Sequence, residues 1–117
     1  TYDDYVPYCM SNKELTDITV LDTAVTGLDI SKCGKIVTIT GNVSATKDSA
    51  GWLALYTLPV GYRPKTNMHA LAYNPSSSSS IDINPVLISN SGNVQVYLYS
   101  TKLTSILRFS ISYIASQ

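Results

Sequence analysis

Apolar and hydroxyl-bearing residues trade places along this chain with a period of two, not the 3.6 of a helix. The pattern is strongest over residues 35–46 (KIVTITGNVSAT), where Val37 and Ile39 alternate with Thr38 and Thr40 and Val43 and Ala45 continue the series. Such alternation predicts a strand with one dry and one wet face. Gly41 interrupts it, and an isolated glycine in a strand predicts a bulge or a close backbone approach. Further strands are predicted at 18–21, around 28–32, at 51–57 (GWLALYT), 69–73 (HALAY), 81–89, 94–100 and 103–115. In the last of these, Phe109, Ile111 and Tyr113 alternate with Ser110, Ser112 and Ile114. Pro85 lacks an N–H, so 81–89 reads as an edge strand or two pieces.

Turn chemistry punctuates these strands. Gly27 and the Cys33-Gly34-Lys35 corner bracket the second one, and Asn90-Ser91-Gly92-Asn93 is a hairpin turn. Leu58-Pro59-Val60-Gly61 fits a turn with proline second and glycine fourth, and Pro64 forces Arg63 into extended geometry. Residues 74–80 (NPSSSSS) form a polar surface loop. The sole helix signal is Ser11-Asn12-Lys13-Glu14, a capping box good for one or two turns. Seven or eight short strands with no covering helix predict an all-β domain: an antiparallel β-sandwich or jelly-roll-like head over 18–117. Residues 1–17 read as an extended N-terminal arm or linker.

Composition sharpens the picture. Ser and Thr supply 28 of 117 residues and charged residues only 14 %, against a more usual share of about 25 %. Low charge with 44 % hydrophobic residues is the reverse of the disordered signature. No apolar run of about 20 residues exists to form a membrane-spanning helix. Eight basic residues against eight acidic ones leave no basic excess for nucleic acid. The zero balance hides two halves. Residues 1–30 carry six acids and one base, and residues 31–117 carry seven bases and two acids, so −5 faces +5. The acidic part reads as a solvated segment or as one that packs on the basic remainder. Cys9 and Cys33 are too few for a disulfide framework and read as thiols. Residues 1–10 lack the basic-then-apolar form of a signal peptide.

Catalytic chemistry finds little to work with. His69 is the one histidine, it stands among apolar residues, and no G-x-S-x-G elbow accompanies it. Asp48 and Asp82 are the only acids of the strand-rich part, a poor pair for glycoside cleavage. One histidine and two distant cysteines do not make a metal site, and phosphate-cradling glycine loops are absent. No cofactor is expected. What remains is a binding surface. Sugars are held by aromatic faces with hydroxyl and amide groups fixing orientation. The candidates are His69 and Tyr73 on one face of one strand, Asn74 beside them, and Tyr97 and Tyr99 on the face opposite Val96 and Leu98. Trp52, in an apolar strand, reads as core or subunit interface.

Two stretches resemble a known family. Residues 51–64 (GWLALYTLPVGYRP), preceded by 35–43 (KIVTITGNV), are similar to the C-terminal head domains of bacteriophage tail fibre and receptor-binding proteins. Their pattern is a G-x-V-x-I-x-G strand, an apolar strand, LP-x-GYRP, and an alternating last strand ending near I-S-Y. Here these are 34–41, 58–64 and 111–113. Residues 5–16 (YVPYCMSNKELT) resemble the stretch before such domains in phages of gut bacteria. The resemblance implies a non-enzymatic β-sandwich head at the virion's tail tip, joined to an upstream tail or fibre protein. It implies a homotrimer binding a bacterial surface polysaccharide or other surface receptor. It also implies that LP-x-GYRP is architectural, with Pro59 and Gly61 setting the turn, Tyr62 packing and Pro64 ending the pairing. Rival readings are a structural tail or baseplate module, a bacterial adhesin domain, and a glycan-cleaving tailspike fragment using Asp48 and Asp82.

Overall fold

The structure, a computed structural model, describes residues 18–45, 51–74, 82–98 and 105–116. These form eight strands: β1 (Ile18–Leu21), β2 (Leu28–Cys33), β3 (Ile36–Ala45), β4 (Gly51–Thr57), β5 (Met68–Asn74), β6 (Asp82–Ile88), β7 (Asn93–Leu98) and β8 (Ser105–Ile114). All pairings are antiparallel, in the order β1-β2-β3-β8-β5-β6-β7-β4. The β3–β8 ladder runs ten residue pairs without a break. At the next joint, β5 meets β8 at the single pair Tyr73↔Arg108. The sheet folds over there, so β1-β2-β3-β8 and β5-β6-β7-β4 face each other as the two layers of a sandwich. The fold is therefore the all-β antiparallel sandwich that the alternation predicts.

One face of every strand supplies the core. Ile30 on β2, Val37 and Ile39 on β3, and Leu107 on β8 meet Val86 and Ile88 on β6 and Val94 and Val96 on β7, all fully buried. Complete burial of such side chains is worth about 1.5–3 kcal/mol each, so this cluster dominates stability. Two ends follow from the strand directions. The proximal end holds the start of β1, the β2–β3 turn, the 58–67 connection, the β6–β7 turn and residues 115–116. The distal end holds the β1–β2 turn and the free ends of the remaining strands.

Four local expectations are corrected. Gly41 marks no bulge, since its ladder with β8 is regular. A Cβ there would lie 2.2 Å from Cε1 of Phe109, so the missing side chain makes room for a buried ring rather than for backbone. The bulge lies instead in β4, between Ala54 and Tyr56. It inserts Leu55, letting Leu53, Leu55 and Tyr56 all pack on the core, which is why GWLALYT shows no alternation. Pro85 sits inside the sheet: β6 is continuous and flanked by β5 and β7. Its backbone pairs with Leu71 of β5, and the described β6–β7 ladder begins one residue on, at Val86. Asn84 Nδ2 donates to the Tyr97 carbonyl at 2.8 Å, filling the gap that the absent Pro85 N–H leaves. Finally, the turn runs 59–62, with Tyr62 N–H donating to the Pro59 carbonyl at 3.1 Å and Gly61 third at φ +99°. That is the glycine position of a type II turn, one residue later than the sequence reading.

Beyond this turn the chain is fastened to the end of β8. Pro64 bridges Ala115, and the Tyr113 hydroxyl donates to the Tyr62 carbonyl. Burial pushes the Tyr113 hydroxyl above its ordinary value of 10.0. The folded state keeps it protonated where the unfolded chain would ionise it. Its contribution is whole below about pH 10 and declines as pH rises further. Tyr113→Phe is expected to cost about 1 kcal/mol at pH 8 through the lost hydrogen bond. That deficit should narrow at pH 11, as urea melts at the two pH values would register.

Candidate functional site

Strand alternation turns a second set of side chains outward. On the β5-β6-β7-β4 layer these are His69, Leu71 and Tyr73 of β5, Ile83 of β6, Tyr97 of β7 and Trp52 of β4. Tyr73 and Trp52 are each 43 % exposed and Leu71 66 %. Register sets their neighbours. Tyr73 lies between Ile83 on β6 and Arg108 on β8. Trp52 lies opposite Tyr97, with ring centroids 5.3 Å apart and planes at 82°, an edge-to-face pair. From strand spacing and rise, Tyr73 stands about 12 Å from Tyr97 across β6, near the distal end of the same outer face. His69 shares that face but lies four residues from Tyr73, about 14 Å toward the proximal end.

The candidates thus divide. Tyr73 and Tyr97 fall on one face of one layer, and His69 is exposed at its far margin. Asn74 closes β5 opposite Asp82, and its side chain lies outside the described residues, as does Tyr99. Asp48 lies outside them too. Two contributors escaped the sequence reading. Trp52 is not core in this chain: the β4 bulge gives the inward positions to Leu53 and Tyr56 and leaves Trp52 outside on the sheet's edge strand. Arg108 is exposed, and only the β5–β8 pairing places its cation beside Tyr73. Neither placement has a signal in local sequence, because both depend on cross-strand register.

The chemistry of this face is flat apolar rings at intervals with one cation beside them. Rings of this kind stack on the C–H patches of sugars, and 12 Å spacing suits an extended saccharide rather than one ring. A hollow of about 490 Å³ under the β1–β2 turn, lined by Asp22, Thr23 and Asp29, offers no ring. Its Thr23 hydroxyl is already spent on the Leu28 carbonyl at 3.0 Å. Among the described residues, no group of three or more His, Cys, Asp or Glu is placed to hold a metal ion.

No protein-family model matches the chain, and no curated protein matches it. Among solved structures it is similar to the head domain of phage bIL170, studied as a case of a common fold for the receptor binding domains of lactococcal phages. The TM-score is 0.57 at 15 % identity, over 85 % of this chain and 99 % of that one. This chain has the fold of a phage head domain. At such identity the likeness is one of fold, and it carries no residue across.

Proposed function

We propose that this chain is the receptor-binding head of a bacteriophage tail protein, a non-enzymatic module that grips a saccharide on the host cell surface. The observation that carries the reading is the exposed Trp52–Tyr97 pair with Tyr73 on the outer face of this fold. Buried aromatic rings need no function; rings left in water on a sheet's outer face call for a partner. Trp52 and Tyr97 present apolar planes for a sugar, Tyr73 a second stacking position, and Arg108 a donor beside it. The LP-x-GYRP resemblance adds support for a phage tail fibre head of the kind found in phages of gut bacteria. Its residues serve the architecture here: Gly61 the turn, Pro64 the bridge to Ala115, Tyr62 the contact with Tyr113.

The head works at the virion's tail tip, carried by an upstream tail or fibre segment. Copies associate as a homotrimer, a reading supported by the 14 % charged composition and by large apolar side chains left open on the outer faces, such as Val20. Threefold symmetry would present three aromatic faces together, so weak single-site affinity suffices. The solution mass is expected near three times 12.7 kDa, and a 12.7 kDa species by light scattering would contradict the trimer.

The test of the function is retention of the labelled protein on bacterial cells before and after periodate oxidation of their surface sugars. Loss of retention after oxidation is expected. Undiminished retention would refute the saccharide as ligand.

A further inference from the structure

The charges of the described residues are sorted by end. Asp22, Asp29 and Asp82 lie at the distal end, whereas Lys32, Lys35, Arg63 and Lys65 lie at the proximal one. Lys32 is engaged, its Nζ donating to the Gly61 carbonyl at 2.6 Å and standing 5.1 Å from the Tyr62 ring centroid. The other three line a cleft of about 760 Å³ together with Asn90, Ile114 and Ser116, and no carboxylate stands in its described walls. The walls are fixed, since Ala115 N–H donates to the Lys35 carbonyl at 2.8 Å and Ser116 N–H to the Arg63 carbonyl at 2.9 Å. Beside the cleft an apolar row crosses the outer face of four strands, Ile18–Cys33–Ile36–Ile114, in direct register. Ile114, 69 % exposed, belongs to both row and cleft.

Cations gathered without counter-charge beside open apolar side chains call for an occupant carrying both acids and apolar groups. Residues 1–17 have that composition. Asp3, Asp4, Glu14 and Asp17 against Lys13 give net −3, interleaved with Tyr2, Tyr5, Val6 and Tyr8. They also join the fold at the right place. Ile18 pairs with Cys33, two residues before Lys35, and 17 residues can reach about 55 Å, far more than the cleft requires. We infer that the proximal end of the sandwich is the seat of residues 1–17 of the same chain, acids on Lys35, Arg63 and Lys65, and aromatic side chains on the apolar row. The seat directs the leading segment away from the distal aromatic face. It stands or falls independently of what that face binds.

Zero-length carbodiimide coupling of the full chain, read by peptide mass spectrometry, tests this directly. An equal mixture of ¹⁴N and ¹⁵N chains separates links within a chain from links between chains. Amide links from Asp3, Asp4 or Glu14 to Lys35 or Lys65 within one chain are expected, falling at least fivefold in 1 M NaCl, where screening acts within about 3 Å. Links of mixed isotope would instead make a second copy the occupant and overturn the proposal. Absence of such links, with Lys35 and Lys65 shielded from acetylation by added inorganic phosphate, would overturn it in favour of a soluble anion. Absence of both would overturn it outright.

Discussion

Replacing Trp52 and Tyr73 together with alanine is expected to weaken attachment to host cells by at least 100-fold while leaving the fold standing. Aromatic anchors at a binding face typically contribute about 1.5–2 kcal/mol each, so two of them amount to about 3 kcal/mol, or two orders of magnitude per site. In a trimer the deficit recurs at each site, and avidity multiplies it. The cost to folding should be small, because both rings are well exposed and only the edge-to-face contact with Tyr97 is lost, about 1 kcal/mol. Cytometry of labelled protein on cells, paired with a thermal melt, separates the two effects. A melting temperature within about 5 °C of the parent is expected for a shift of that size. Attachment within threefold of the parent would move the receptor site off this face.

Gly27→Ala is expected to do the reverse, damaging the fold and touching no ligand. Gly27 closes the β1–β2 turn at φ +85°, a backbone conformation that L residues other than glycine seldom adopt. An added Cβ would lie 2.0 Å from the Asn42 backbone oxygen, which no side-chain motion can relieve. The Asn42 N–H meanwhile donates to the Gly27 carbonyl at 2.8 Å, extending the β2–β3 ladder beyond Leu28↔Gly41. Relief must therefore break a ladder bond or tilt β2 away from β3, with Leu28 and Ile30 drawn from the core. The combined cost should exceed about 3 kcal/mol, a fall of more than about 10 °C in melting temperature. Gly34→Ala serves as the control: it also has positive φ, at +62°, but nothing lies within 4 Å of an added Cβ. It should cost about 1 kcal/mol, the conformational term alone. Equal melting temperatures for the two variants would contradict this account of the β1–β2 turn.

The contrast between those glycines illustrates what the sequence can and cannot announce. Period-two alternation located the strands closely, since β1 and β4 occupy the expected positions and β8 begins and ends within two residues of them. Alternation also put Tyr97 outward and Val96 and Leu98 inward, as the structure has them. It carries no information on partners. That β4 crosses to pair with β7 at the sheet's edge, or that Pro85 sits safely inside because Asn84 serves the Tyr97 carbonyl, is decided by residues far apart in sequence. Trp52 was hidden for the same reason: an apolar run with a bulge gives no clue to which side chain is expelled. Arg108 joins the site through one cross-strand pair, a contact between positions 35 residues apart. The sorting of charge by halves was visible from the start, but its arrangement by ends required the strand directions.

Trp52 is the chain's single tryptophan, and so its emission reports on the aromatic face alone. The decisive measurement is a fluorescence titration of the intact protein with polysaccharide from a strain that retains it, alongside calorimetry on the same samples. A saturable change in Trp52 emission, with the same midpoint as the heat, is the predicted result. Binding heat that saturates while the emission stays unchanged would place the receptor elsewhere and contradict the account.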